Sequence, residues 1–127
     1  FNDNSSSPTL KNTIIANSVG GACDGTVTSL GDNLVDDASC AITATGDITN
    51  TSALLGPLES PAGGTPFHRL LPFSPARDNG GAPSCPPTDQ RGVARPQGAG
   101  CDIGAVEVAL LPRVYLPSTL RGASTGW

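Results

Sequence analysis

Apolar residues in the first half of this chain come singly or in adjacent pairs, never as a long periodic stripe. Across residues 9–58 they are Leu10, Ile14 with Ile15, Val27, Leu30, Leu34, Ile42, Ile48, and Leu54 with Leu55, separated by Asn, Asp, Gly, Ser and Thr. Runs this short and broken exclude helices and suit short strands divided by turns. "IIANS" and "LGDNL" place Asn17 and Asn33 beside such runs, sixteen residues apart. A period near twenty residues, with a short strand and a turn residue in each copy, is what the stacked rungs of a parallel β-helix require. A β-sandwich of short strands is the alternative architecture. Composition points the same way: with 16 Gly and 12 Pro, no Met and only 14% charged residues, the chain lacks the Lys, Glu and Met on which long helices draw. The expected fold is all-β, and 127 residues make one modest core.

Charge excludes one class of partner. A net charge of −4, a pI near 4.6 and the absence of any Lys/Arg cluster leave no electrostatic footprint for nucleic acid. No apolar run reaches the roughly 18 residues of a membrane span; the best, from Val106 to Leu111, is interrupted by Glu107. The chain begins at Phe1 and not at Met, and the expectation is release from a longer precursor during export. Four cysteines fit an oxidising compartment. They lack C-x-x-C spacing, and His68 is the sole histidine, so zinc and thioredoxin patterns are absent. Of the three possible connectivities we choose Cys23 with Cys40 and Cys85 with Cys101, which close two short loops of similar length. Four reduced, buried thiols are the alternative.

Residues 56–100 hold nine of the twelve prolines, and regular strands are expected to be rare there. Phe67, Leu70, Leu71 and Phe73 are expected to cover the open end of a core. From Val106 the even positions read Val106, Val108, Leu110, Pro112, Val114, Leu116, Ser118 and Leu120, an alternation that predicts a strand with one buried face. Pro112 and Pro117 confine it to an edge or a clamp. Residues 1–105 are therefore read as a truncated coil with its cap, and 106–127 as an extended tail open to exchange with a neighbouring subunit. Val106, Val108, Leu110, Val114, Tyr115, Leu116, Leu120 and Trp127 are its assembly residues.

The order "LKNTIIANS", "SLGDNL", "GDITNTSALLGPL", "GGTPFHRLLPFSPARDNG" and "CPPTDQRGVARPQGAGCDIGAVE" resembles the C-terminal region of secreted bacterial right-handed parallel β-helix proteins, of the choice-of-anchor and polymorphic-outer-membrane-protein-like kind. The resemblance spans residues 9–107, and its last block is the most specific part. It implies a right-handed coil, here of two to three rungs, closed by a loop-rich, disulfide-bonded cap. It further implies that Asp89, Arg91, Arg95, Asp102 and Glu107 form a structural polar knot. So few rungs leave an exposed N-terminal edge, and exposed edges pair with other chains. The expected function is that of an extracellular structural protein, a subunit of a surface filament joined head to tail by rung stacking and by strand addition from the tail. A monomeric cap module of a cell-surface adhesin, binding glycan or surface, is the alternative.

A polysaccharide-active β-helix enzyme is a third alternative, and such an enzyme needs several carboxylates on one face. Asp32, Asp36 and Asp37 are the only close cluster and match no calcium loop, so they are read as turn residues. His68 is expected to pack against the cap, since a nucleophile triad would need an activated Ser or Cys beside it. No glycine motif implies a cofactor. Asn4 and Asn50 match the N-x-[ST] acceptor pattern for glycans.

Overall fold

Two neighbouring apolar residues on a strand face opposite sides of it, and the pairs Ile14–Ile15 and Leu34–Val35 use this to feed two cores. The computed structural model describes residues 6–81 and 85–110, which are all-β with no helix among them. Four two-residue strands come first: β1 (Thr9–Leu10), β2 (Ile14–Ile15), β3 (Thr28–Ser29) and β4 (Leu34–Val35). β1 pairs in parallel with β3, and β2 in parallel with β4. Ile48 adds a parallel bridge to Leu34. Three passes of the chain thus lie side by side, around residues 9–16, 28–36 and 45–50. Their ladder runs from Leu34 N–H to Thr13 C=O (2.8 Å), from Asp36 N–H to Ile15 C=O (3.2 Å), and from Ile48 N–H to Asn33 C=O (2.7 Å).

Each pass turns a corner in the left-handed region. Asn12, Asp32 and Gly46, with φ of +50°, +57° and +82°, occupy corresponding places, each two residues before Ile14, Leu34 and Ile48. Asn12 N–H bonds Gly31 C=O and Asp32 N–H bonds Thr45 C=O, the same contact made one pass later. Asn and Asp tolerate this conformation. At Gly46 a Cβ would displace the Asp32 carboxylate and crowd the Asp32 backbone nitrogen at 3.3 Å. The true repeat therefore lies in backbone shape. Asn17 and Asn33 are not equivalent: Asn17 sits at an outer turn, whereas Asn33 is fully buried opposite Thr13.

Asn33 ties the passes together. Its Oδ1 accepts the Thr13 N–H (3.0 Å), and its Nδ2 lies within reach of Ser29 Oγ (2.9 Å), Asp47 Oδ1 (3.1 Å) and Leu10 C=O (3.3 Å). On one side of the strands Val35, Cys40 and Ile42 form a core with Ile15, Ala22, Cys23 and Val27, fastened by the Cys23–Cys40 disulfide. On the other side Leu34, Ala53, Leu70, Ala76 and Ile103 pack with Ile14, Ile48 and Val108.

The second core is covered by a hairpin where regular strands were expected to be rare. β5 (Leu55–Glu59) and β6 (Phe67–Leu70) pair antiparallel and are the longest strands described. Pro57 is accommodated because the register shifts between Leu55 and Leu58, so no ladder bond is asked of its missing N–H. Of the four residues expected to cover the core, Phe67 and Leu70 are buried, but Leu71 (39%) and Phe73 (93%) are exposed. The chain leaves β6 through a turn in which Phe73 takes a φ of +68°, directing its ring to solvent. Among the described residues no helix is long and apolar enough to cross a membrane.

Replacing Asn33 by Ala strips Thr13 N–H of its buried partner and should lower the unfolding free energy by about 2–4 kcal/mol, against about 1 for Ser29→Ala. Urea titration of both variants checks this, and equal losses would contradict the hub role of Asn33.

Candidate functional site

The last described segment folds around one carboxylate. A turn closed by Gly92 N–H on Asp89 C=O (3.0 Å) directs the N–H groups of Arg91 (2.7 Å) and Val93 (3.0 Å) at the Asp89 carboxylate, and the Glu107 N–H joins them from the last segment at 2.9 Å. The Arg91 guanidinium adds contacts at 3.0 and 2.8 Å. Burial alone would raise the Asp89 pKa, but the Glu107 N–H, the Arg91 guanidinium and the remaining N–H donors together hold it below the usual carboxylate value.

Glu107 is completely buried and closes the other half. Its Oε1 accepts from Asp102 N–H (3.0 Å) and from Arg95 Nη1 (3.3 Å), and its Oε2 from Gln97 N–H (3.1 Å). Arg95, with only 2% of its side chain exposed, also reaches Asp102 C=O (2.9 Å) and Gly104 C=O (2.8 Å). Asp102 accepts from Asp78 N–H (2.8 Å) and Val108 N–H (2.6 Å). The structure thus brings Asp89, Arg91, Arg95, Asp102 and Glu107 into one connected network. Arg91 carries it on to the hairpin by stacking over the Phe67 ring at 4.9 Å. Cys85 and Cys101 form the second disulfide beside it.

The network holds its segment against the first pass. Gly104 N–H bonds Asn12 C=O (3.0 Å), and a Cβ on Gly104 would press on Ile14 Cδ1 at 2.9 Å. Beyond that contact the edge is bare: among the described residues β1 and β2 pair on one side only. Thr13 and Ile15 direct their C=O groups at β4, so the N–H and C=O of Ile14 face the opposite way. Ile14 also lines a cleft of about 700 Å³ between the first pass, the hairpin and the network, with Ala16, Leu58, Phe67, Leu70 and Val106 among others.

The remaining sequence candidates fall elsewhere. Asp36 accepts Asn17 N–H (2.6 Å), while Asp37 accepts Ala22 N–H (2.9 Å) and both the N–H and hydroxyl of Ser39. These aspartates bind the long connection between passes. The Ser39 hydroxyl and N–H hold the Asp37 carboxyl below its usual pKa. Asp32 pairs with Lys11 at 3.0 Å. No group of three or more metal-ligating side chains occurs among the described residues. His68 does not pack inward: Phe67 and Leu70 occupy the inner face of β6, and His68 is exposed, its Nδ1 2.8 Å from Gly56 C=O.

Residues 106–110 are not in a strand. Val106 is buried, Val108 packs on the core and Leu110 is 57% exposed, but Glu107 between the valines is buried as well. Its ionic partners, not a pleat, set the local pattern. Asn50 is exposed at a φ of +52°. Asn4, Val114, Tyr115, Leu116, Leu120 and Trp127 lie outside the described residues. Sequence reasoning missed Asn12, Ile14 and Ala16 as edge residues; the only signal was the apolar pair at 14 and 15. No family model matches this chain, and comparison with curated proteins and with solved structures finds no match.

Glu107→Gln leaves the Arg95 charge buried without its counter-ion and should cost about 3–5 kcal/mol in urea unfolding; a loss under about 1 would contradict the network. The depressed Asp89 pKa stabilises the fold above the ordinary aspartate pKa of about 3.9, and that stability is lost as pH falls through the lower folded value. The urea midpoint should hold from pH 7 to about 5 and drop below about pH 4; a midpoint rising on acidification would refute the sign.

Proposed function

We propose that this chain is the closing module of an extracellular, right-handed parallel β-helix, and that it serves as a structural subunit whose open first rung joins another copy. Parallel passes with recurring left-handed corners support the coil. Two disulfides suit an oxidising exterior. The buried ionic network acts as the clamp that fixes the final segment to the coil's flank. One observation carries the assembly: β1 and β2 each lack a partner on one side among the described residues. An uncovered strand edge is a template for another strand, and a contact between unlike surfaces that does not close on itself produces a filament.

A second reading is a monomeric module of a cell-surface adhesin that binds glycan or another surface. The bond from Gly104 N–H to Asn12 C=O favours it, since the chain already covers part of its own edge.

Electron microscopy of the unreduced full chain near neutral pH separates the two. Filaments with an axial repeat of a few nanometres are expected, and removal of residues 114–127 should leave folded, unassembled monomers. Uniform single particles from the full chain would overturn the assembly reading in favour of the surface-binding module.

A further inference from the structure

We propose that Asn79–Gly80 is a self-modification site, kept unreactive by the contacts that hold the last segment and releasing that segment once it converts. It is the one Asn-Gly step in the chain. An asparagine followed by glycine is the most prone to cyclise, because no side chain hinders the approach of the glycine nitrogen to the side-chain carbonyl carbon.

The reaction needs only water and hydroxide. Hydroxide removes the Gly80 N–H proton, the nitrogen attacks Asn79 Cγ, and a new N–Cγ bond forms. The Cγ–Nδ2 bond breaks, and Nδ2 takes a proton from water and leaves as ammonia. Water then opens the resulting cyclic imide at one of its two carbonyls. Opening at Cγ leaves an ordinary aspartate. Opening at the main-chain carbon leaves isoaspartate, in which the chain runs on through Cβ and Cγ and is one methylene longer.

The fold withholds the nucleophile. Gly80 is buried, and its N–H is donated to Cys101 C=O at 2.8 Å in an antiparallel bridge. Asn79 is exposed, but its Nδ2, the leaving group, donates to Pro75 C=O at 2.8 Å. Two further bonds tie the same stretches together: Ile103 N–H on Ala76 C=O and Asp78 N–H on Asp102 Oδ1, both 2.8 Å. Cys101 belongs to the second disulfide and Asp102 to the ionic network. The Gly80 nitrogen is therefore available only while this assembly is locally open, and the rate of conversion follows the population of that open state.

The isoaspartyl product does not fit the parent geometry. A Cβ on Gly80 would stand 3.1 Å from the C=O oxygens of both Cys101 and Asp102, and one on Gly100 would stand 2.8 Å from Asp78 C=O. Main chain thus packs closely against main chain on both sides of the Asn79–Gly80 step. An added methylene shifts Gly80 out of register with Cys101 while Asp78 and Ala76 stay bonded to Asp102 and Ile103. Relief comes by giving up those bonds, which loosens Ile103 in the core and Gly104 on Asn12. Loss of ammonia makes the change permanent.

Peptide mapping of the full, oxidised chain in mildly alkaline buffer, folded or in urea, tests the gate. Conversion at residue 79 should be at least about tenfold slower in the folded chain; equal rates would overturn the gate. Asn79→Gln, whose longer side chain disfavours the ring, should stay unconverted in urea over the same time, and conversion at the parent's rate would overturn the cyclisation. Hydrogen exchange tests the release, with the isoaspartyl form made in urea and refolded beside a parent treated alike. The Ile103 and Gly104 amides should exchange at least about tenfold faster in the isoaspartyl form, with Leu34 and Val35 unchanged. Asn79→Asp adds the charge without the methylene and should keep the parent's protection. Parental exchange at Ile103 in the isoaspartyl form, or an equal loss in Asn79→Asp, would overturn the release.

Discussion

A single buried amide holds the first half of the molecule in register. Asn33 contacts the backbone of the first pass through Thr13 and Leu10, a hydroxyl of its own pass through Ser29, and the carboxylate of the third through Asp47. Strands of two residues have almost no ladder of their own, and a slip of one residue would turn each apolar pair inside out. The side chain of Asn33 fixes that alignment because its donors and acceptors fit only one stacking. Asp47 remains ionised in this role: burial opposes the charge, but the Ser29 hydroxyl and the N–H groups of Asn33 and Ala44 outweigh it and lower its pKa. Once the passes align, Ile14, Leu34 and Ile48 meet on one face and Ile15 and Val35 on the other.

The ionic network does for the last segment what Asn33 does for the three passes. Asp89 and Glu107 lie eighteen residues apart, and each organises backbone N–H groups that have no regular partners. Buried charges are costly unless their hydrogen-bonding capacity is filled, and here both oxygens of Asp89, Asp102 and Glu107 are engaged. The result is a loop-rich segment rigid enough to press Ile103 into the core and Gly104 onto the first pass. It also defines one wall of the cleft, so the clamp and the open edge belong to the same piece of architecture.

Much of this was legible in the sequence, and the failures have physical causes. The apolar pair at 14–15 and the single Leu34 announced short strands, and the resemblance carried by the block from Asp89 to Glu107 implied a polar cluster. The corners were hidden because Asn12, Asp32 and Gly46 share a conformation and no residue type. The hairpin was hidden because Pro57 reads as a strand breaker unless the bulge that absorbs it is seen. Alternation around Glu107 looked like a pleat because valines flank a carboxylate, and nothing in local sequence says that the carboxylate is buried. The cleft depends on residues from five separated stretches, around 11–16, 55–58, 66–70, 86–95 and 103–106, and left no local trace.

Assembly through the first pass requires a free edge there that another copy completes. Amide hydrogen exchange resolved at single residues, run over a range of chain concentrations, measures this most directly. Leu34 and Val35, paired on both sides, should exchange slowly at every concentration. The Ile14 amide should exchange rapidly in dilute solution and become protected as concentration rises and copies join. An Ile14 amide protected equally at all concentrations would mean that a single chain covers its own edge, and would contradict assembly through that edge.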